Sequence, residues 1–319
     1  MPTLSIVIVN WNSGRQLASC LASVPPAVTP ALRLDRVIVV DNASTDGSAD
    51  HLPGAGLPLR IERNEVNRGF AAACNQGAAL TAAEYLLFLN PDVRLFPEAL
   101  QVPIAYLEHA EHAQVGICGI QLVDEQQRVA PSCARFPSPG NFLAAMVGLD
   151  RLLPGRCSPH YLAEREHQAS ADVDQVMGAF FLVRAALFRA LNGFDERFFV
   201  YYEEVDFSLR AHEAGWKSRY LAEVRAFHRG EGTTDQIRGR RLFLSLRSRL
   251  LYCFKHFGTS AATAVLVGTL FVEPVTRSLL ALRRRGWLGV RETVTGSLAL
   301  WRSLPDILRV ARTDRGGPR

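Results

Sequence analysis

The chain has 319 residues, 48% of them hydrophobic and 21% charged, with 24 glycines and 17 prolines, which excludes a disordered, collagenous or coiled-coil protein. The net charge of +5 hides a division: residues 1–234 hold 20 basic and 26 acidic side chains, net −6, whereas residues 235–319 hold 16 and 5, net +11. Single cores stop growing near ~250–300 residues, so one main domain with a basic appendage is expected.

Leu4 to Val9 is a short apolar run rich in β-branched residues that stops at Asn10-Trp11-Asn12-Ser13-Gly14, the pattern of a buried strand ending in a polar loop. Arg15 to Ser23 is helix-like, and Arg36 to Val40 repeats the strand pattern before Asp41-Asn42-Ala43-Ser44-Thr45-Asp46-Gly47. Asn67-Arg68-Gly69-Phe70 leads into an Ala-rich helical stretch to Ala83, and Tyr85 to Leu89 is a third apolar strand ending at Asn90-Pro91-Asp92. A helix from Pro97 to about His109 and a strand from Val115 to Val123 follow. This alternation predicts an α/β fold with a mostly parallel sheet covered on both faces.

Ligands of such sheets bind beyond the carboxyl ends of the strands, where strand order reverses. Asp41 and Asp92 both stand at such ends. Singly, each reads as a turn former or helix cap; as a pair in one half-domain they point to a site. No glycine-based phosphate cradle follows any of these strands, so a diphosphate would need a divalent cation on carboxylate oxygen, with Asp92 the natural ligand for Mg²⁺ or Mn²⁺.

Residues 124–170 hold several Pro, Gly and His and few regular patterns, which predicts a long irregular insertion. Strand pattern returns at Val173 to Val176 and Gly178 to Val183. Gly193-Phe194-Asp195-Glu196 then runs through four aromatics to Glu203-Glu204-Val205-Asp206-Phe207. An acidic first helical turn suits the macrodipole, with Glu203 as cap and Phe207 and Leu209 facing the core. The same turn suits a proton acceptor held away from bulk water, with Glu204 as base and Glu203 and Asp206 as neighbours that raise its pKa. His228 follows the expected strand Lys217 to Leu221, ahead of a Gly-containing loop. A lone His is usually structural, and its place also fits a late metal or phosphate ligand.

From Arg238 onward arginines alternate with Leu, Phe and Trp at helical spacing, and an uncharged stretch, Gly258 to Val272, ends at Glu273-Pro274. That stretch is shorter than the ~20 residues a spanning helix needs, so the expectation is a helix lying on an anionic membrane face rather than crossing it. A basic packing appendage is the plain alternative, and nucleic acid is not an expected partner. The six cysteines, Cys20, Cys74, Cys118, Cys133, Cys157 and Cys253, form no C-x-x-C pair and read as reduced cytosolic thiols. The amino terminus reads as lacking a secretory signal, and the expected location is cytoplasmic, peripheral on the inner face of the membrane.

Together these stretches resemble a family 2 inverting glycosyltransferase of the GT-A fold, closest to its rhamnosyltransferase-like branch. The resemblance covers about residues 3–232, carried by Ser5 to Asn12, Val40 to Gly47, Asn67 to Phe70, Asn90 to Asp92, and Gly193 through Asp206. It implies a catalytic domain at 1–234, with a nucleotide-sugar half to about 123 and an acceptor half at 124–234, followed by a helical region at 235–319. It implies that Asp41 recognises the base or ribose, that Trp11 and Asn67 line that pocket, and that Val9, Asn12, Gly69, Phe70 and Asn90 complete the donor site. Asn90-Pro91-Asp92 stands at the D-x-D metal motif, His228 at the late His of that site, and Glu204 at the catalytic carboxylate.

The implied activity is transfer from a nucleotide sugar, dTDP-rhamnose first, to a lipid-linked or polysaccharide acceptor in cell-surface glycan synthesis. Three positions depart from the pattern: Asn90 for the first acid of D-x-D, Glu204 for Asp, and Cys74 where many relatives carry Arg. A nucleotidyltransferase using Mg²⁺ at acidic strand ends, or a non-catalytic membrane-associated binding protein, remains an alternative.

Overall fold

The computed structural model describes residues 1–50, 52, 56–152, 167–230 and 238–313. Its strands in chain order are β1 (Thr3–Asn10), β2 (Arg33–Asp41), β3 (Leu59–Arg63), β4 (Tyr85–Leu89), β5 (Val93–Leu95), β6 (Val115–Val123), β7 (Val129–Ala130), β8 (Cys133–Ala134), β9 (Ala171–Val173), β10 (Gln175–Val176), β11 (Phe180–Arg184) and β12 (Lys217–His228). Its α-helices are α1 (Gln16–Ala22), α2 (Val24–Ala27), α3 (Phe70–Ala78), α4 (Gln101–Glu108), α5 (Pro139–Val147), α6 (Leu149–Leu152), α7 (Ala185–Ala190), α8 (Glu203–Glu213), α9 (Arg238–His256), α10 (Thr259–Val267) and α11 (Glu273–Thr313). The chain divides into two compact units, residues 1–136, 161–196 and 203–233 forming the first and residues 137–160, 197–202 and 234–319 the second.

The first unit is an α/β sheet with strand order β3-β2-β1-β4-β11-β6-β12-β5. β1, β2, β3 and β4 pair parallel, as do β6 and β12, and β11 is inserted antiparallel between β4 and β6. Side chains of a strand alternate between faces, and here both faces are apolar. Leu4, Ile6 and Ile8 join Val37, Leu87 and helices α1, α2 and α4 in one core, while Val7, Val9, Ile38 and Phe88 join α3, α7 and α8 in the other. Helix α3 lies close to the sheet because its inner face is small; a Cβ on Gly77 would stand 2.4 Å from Val7 Cγ1.

Several element boundaries differ from expectation: α3 ends at Ala78 rather than Ala83, and β2 begins at Arg33 rather than Arg36. Helix α4 begins at Gln101 rather than Pro97, because Pro103 has no N–H and is tolerated only within a first turn. The strand expected to end at Leu221 continues to His228, with an irregularity between Leu221 and Arg225, and its end pairs His228 with Val93 of β5. Val173 to Val176 is two strands, β9 pairing β12 and β10 pairing β8.

In the second unit α5 occupies part of the expected irregular insertion. It starts on a capping box between Ser138 and Asn141 and stops at left-handed Gly148, signals that proline-rich surroundings obscured. The helical path does not end at Glu273-Pro274 as expected. A π turn, Gly268–Val272, joins α10 to α11, and Pro274 sits in the first turn of α11, where a missing N–H costs little. Glu273 is buried by pairing with Arg249 and with Arg277, 2.7 Å away. Thr259–Ala311 is thus one helical run long and apolar enough to cross a membrane by length and composition, with 22% of its apolar window buried.

That run is not one rod. Gly286 is non-helical, with φ 63° and ψ −154°, and a Cβ on Gly289 would lie 3.1 Å from Ala281 Cβ. The rings of Phe271 and Trp301 pack 5.2 Å apart. These residues lie fifteen positions either side of Gly286, so the two halves of the run lie antiparallel. Cys20, Cys74, Cys118, Cys133 and Cys253 are buried and free; Cys157 lies outside the described residues.

Candidate active site

Parallel pairing directs the carboxyl ends of β1, β2 and β4 to one edge of the sheet. Strand order reverses between β1 and β4, which makes that edge the place where such sheets bind ligands. Asn10 ends β1 and Asp41 ends β2, both buried. Asn10 Nδ2 donates to Asp41 Oδ1 at 2.8 Å, to Ser44 Oγ at 3.0 Å and to Ser48 Oγ at 2.9 Å, while Ser13 Oγ donates to Asn10 Oδ1. Asn12, at φ 49°, accepts from the Thr45 N–H at 2.7 Å. Arg63 Nη1 stands 3.9 Å from Asp41 Oδ2.

Asn42 joins the next segment to this pair of loops. Its Nδ2 donates to Asn67 Oδ1 at 2.9 Å and to the Gly69 carbonyl at 3.0 Å. Its Oδ1 accepts from Asn64 Nδ2 at 3.1 Å and from the Arg68 N–H at 3.0 Å. Gly69, at φ 89°, turns the chain into α3, and Phe70, half-buried, leans on the core behind that helix. Trp11 is half-buried just beyond β1, and Val9 is buried within it. Of the residues expected on the donor side, Asn12, Asp41, Asn67 and Gly69 are therefore tied into one bonded frame. Asn10 and Asn42 bear most of that frame and were not singled out in the sequence; their signal is an amide directly after, or ending, an apolar strand.

Asn90-Pro91-Asp92 forms the turn between β4 and β5, closed by the Val93 N–H on the Asn90 carbonyl at 3.1 Å. The pairing of β5 with the end of β12 brings His228 to this turn, with Nε2 3.4 Å from Asp92 Oδ2. Both side chains are only 9% exposed. Among the described residues no group of three or more His, Cys, Asp or Glu is positioned to hold a metal ion. One carboxylate with one imidazole is too few for an all-protein cage, but it suits a cation that takes its remaining oxygens from phosphate and water.

The acidic turn opens α8, and the two residues before it, Tyr201 and Tyr202, have left-handed backbone at φ 68° and 72°. Such strain in bulky residues collects at functional sites. Glu204 lies beside Gly178, whose would-be Cβ stands 3.8 Å from its carboxyl carbon. Next to it, Ala179 accepts from the Asn90 N–H at 3.0 Å. The Asp92 turn and Glu204 are thus held against adjacent backbone residues, Ala179 and Gly178.

Glu203 Oε2 and Glu204 Oε2 are both buried without a hydrogen-bond partner. Burial, and then the neighbouring Glu204, push the Glu203 carboxyl well above the carboxylate range. Burial also raises Glu204, and backbone N–H bonds, that of Gly178 among them, only partly offset this. Asp206 has a partner of its own: it pairs with Arg210 at 2.8 Å, and Arg210 donates to the carbonyls of Leu191 and Gly193. Cys74 is buried on α3, its thiol held un-ionised first by burial and then by Glu203 and Glu204.

The Gly193-Phe194 stretch holds this turn in place. Phe194 packs among Phe88, Phe181, Phe188 and Phe207 with ring centroids 4.9–5.8 Å away. Asn75 of α3 donates to the Phe194 carbonyl at 2.8 Å and accepts from its N–H at 2.9 Å. Asn75 is a third positioning residue that the sequence did not mark, since nothing in a helical Ala-rich run shows which amide turns inward.

The family model described as Glycosyl transferase family 2 matches residues 5–165, half of the chain. The N-acetylglucosaminyl-diphospho-decaprenol L-rhamnosyltransferase of Mycobacterium tuberculosis is 28% identical over 247 residues, 73% of this chain and 78% of that one. The rhamnosyltransferase WbbL of Escherichia coli is 30% identical over 147 residues, 46% of this chain and 52% of its own. Among solved structures, a mannosyltransferase from Pyrobaculum calidifontis in complex with GDP-Man and Mn²⁺ is similar with a TM-score of 0.52 and 17% identity, over 97% of this chain and 86% of that one. Its likeness shows the GT-A fold. With the family model covering half its length and the fold agreeing, this chain is a glycosyltransferase and belongs to family 2.

Proposed function

We propose that the chain is an inverting, divalent-cation-dependent glycosyltransferase that moves a sugar, with dTDP-rhamnose the first-choice donor, to a hydroxyl of a lipid-linked or polysaccharide acceptor. The observation that carries this reading is that the Asp92 turn and the buried Glu204 carboxylate are held against adjacent backbone residues, Ala179 and Gly178. The rhamnosyltransferase relatives support the choice of sugar, and the name of the mycobacterial one, with its decaprenol-linked diphosphate, supports a lipid-linked acceptor. The basic region at 235–319 supports an anionic membrane surface as the setting, at the cytoplasmic face.

Asp41 receives the base or ribose, with Trp11, Asn67 and the frame around Asn10 and Asn42 forming the pocket. Asp92 and His228 would hold Mg²⁺ or Mn²⁺, which would supply neutralisation of the diphosphate that departs with the nucleotide. Cys74 brings no charge to that task. Glu204 takes the proton of the acceptor hydroxyl while that oxygen bonds to the sugar C1 from the face opposite the leaving diphosphate, so one displacement inverts the anomeric centre. A raised pKa makes Glu204 a stronger base than an exposed carboxylate: backbone N–H groups bond part of the carboxylate, and Oε2 is left buried without a partner.

The test is a thermal-shift panel of nucleotide sugars with and without Mn²⁺, paired with Glu204→Gln. A donor that binds only the folded chain raises the melting temperature. Stabilisation by dTDP-rhamnose, deepened by Mn²⁺ and kept in a Glu204→Gln protein that no longer transfers, is the expected result. Unchanged turnover in Glu204→Gln would remove Glu204 from the chemistry.

A further inference from the structure

The second unit carries apolar surface that its own packing leaves uncovered. On the first arm of the antiparallel run, Phe271, Val275, Leu279 and Leu282 are exposed, with Phe271 at 58% and Leu279 at 65%. Their spacing of four, four and three places them on one helix face. On the second arm, Trp287, Val294, Leu298 and Trp301 are exposed at spacings of seven, four and three, again one face, with Trp287 at 78%. The edge-to-face packing of Phe271 on Trp301 joins the two stripes into one surface. The opposite side of the second arm is the packed one: a Cβ on Gly296 would lie 2.7 Å from the Gly239 carbonyl of α9.

Charge surrounds this surface. Arg283, Arg284 and Arg285 are consecutive and exposed at the reversal beside Gly286, and Arg291 and Arg302 are exposed along the second arm. A large apolar face edged with arginine is unusual on a surface that meets only water. It matches a bilayer interface rich in anionic headgroups, where apolar side chains sink below the phosphates and guanidinium groups bond to them.

We infer that the face formed by these two stripes docks flat on an anionic lipid surface, with both arms in the plane of the interface and the Arg283–Arg285 turn among the headgroups. The arms do not cross the bilayer. A spanning hairpin would carry three consecutive arginines through the hydrocarbon, a placement that is strongly unfavourable. The bonded Glu273 clasp also fixes the arms to α9, so the unit presents the face as a preformed plate. This rests on the membrane part of the proposed function and names where that contact is made.

The experiment uses the full chain and vesicles of phosphatidylcholine with and without phosphatidylglycerol. Co-sedimentation with the anionic vesicles, release by about 0.5 M NaCl through screening, and quenching of tryptophan by lipids brominated near the interface, reduced in Trp287→Phe and abolished in Trp287→Phe/Trp301→Phe, are expected. The double variant Val275→Glu/Leu279→Glu, at exposed positions, should keep its melting temperature and lose at least about tenfold in vesicle affinity. Arg283→Ala/Arg284→Ala should weaken binding to anionic vesicles and leave neutral ones unaffected. If the wild type ignores anionic vesicles, both the membrane setting and this face fall. If it binds and the double variant binds equally, the setting stands and this face falls. A wild-type dimer that the double variant converts to monomer without change in vesicle binding would assign the face to a second copy of the chain and overturn the proposal.

Discussion

The Asn90 backbone N–H donates to the Ala179 carbonyl at 3.0 Å, fixing the turn that carries Asp92 to the backbone against which Glu204 is held. Because this bond lies between main-chain atoms, side-chain replacements at Asp92 or Glu204 should alter chemistry and leave the scaffold intact. The predictions below rely on that separation.

Glu204→Gln keeps the shape of the side chain and removes its basicity. It should reduce kcat by about 10²–10⁴-fold with little change in donor affinity. Glu204→Asp should retain more activity than Glu204→Gln, since the base survives at shorter reach. In the wild type the raised Glu204 carboxyl must be ionised to act, so kcat/KM should rise with pH along a limb displaced upward from the ordinary value of ~4.3. Steady-state rates across pH measure both.

Glu203 gives a stability signature of opposite sign to an ordinary ion-paired acid. Its folded-state carboxyl is raised by burial and by Glu204, so the folded chain binds the proton more tightly than the unfolded chain does. Stability is then full at acidic pH and falls as pH rises from the ordinary carboxylate range to the raised value, by about 1.4 kcal/mol per pH unit per proton. Glu203→Gln removes that loss. Its melting temperature should exceed that of the wild type at pH 8 and approach it at pH 5, with ~2–4 °C for each kcal/mol.

Asp92→Asn and His228→Ala should each abolish the added stabilisation that Mn²⁺ gives to a bound nucleotide sugar, while the melting temperature without ligand changes little. His228 ends β12 and Asp92 sits in the turn between β4 and β5, so neither side chain belongs to the apolar core clusters. Calorimetric titration of the nucleotide at fixed Mn²⁺ checks this, and undiminished cation dependence in both variants would move the metal elsewhere.

Gly193→Ala tests the scaffold instead. Gly193 has φ 69°, and its Cβ would stand 2.5 Å from Asn75 Oδ1. The substitution should cost about 1–3 kcal/mol and loosen the Phe194 anchor, so activity should fall with stability. Asn75→Ala should soften the clash and remove part of that penalty in the double variant, because the two residues are coupled.

Strands β1, β2 and β4 were legible in the sequence because a strand buried on both faces is an unbroken β-branched and aromatic run. The acidic turn was legible because Glu203, Glu204 and Asp206 crowd three carboxylates into four residues directly after a run of aromatics. The extension of β12 was missed: Ala222-Glu223-Val224-Arg225 does alternate apolar with polar, but an irregularity between Leu221 and Arg225 interrupts the ladder, and pairing with β6 and β5, each a hundred or so residues away, carries the chain on to His228. Asp206 shows the same gap in the site. Its sequence place suggests a neighbour raising Glu204, but the helix turns it toward Arg210 four residues on, and side-chain direction is set by a helix whose packing face is decided by Phe207 and Ala211. The reversal at Gly286 was hidden because arginine, glycine and tryptophan there continue a helical pattern on either side.

Asn42 spends all the bonding capacity of one amide on three separate places in the chain, Asn64, Asn67 to Arg68, and Gly69. On the proposed function, a nucleotide arriving here would meet a socket assembled during folding, so little ordering entropy would be charged to the encounter. The same economy narrows the routes by which a descendant could acquire a different donor. A change in the amides of the socket would unfasten the protein itself, and new preferences would have to arise in side chains hung from the socket while the amides stay as they are.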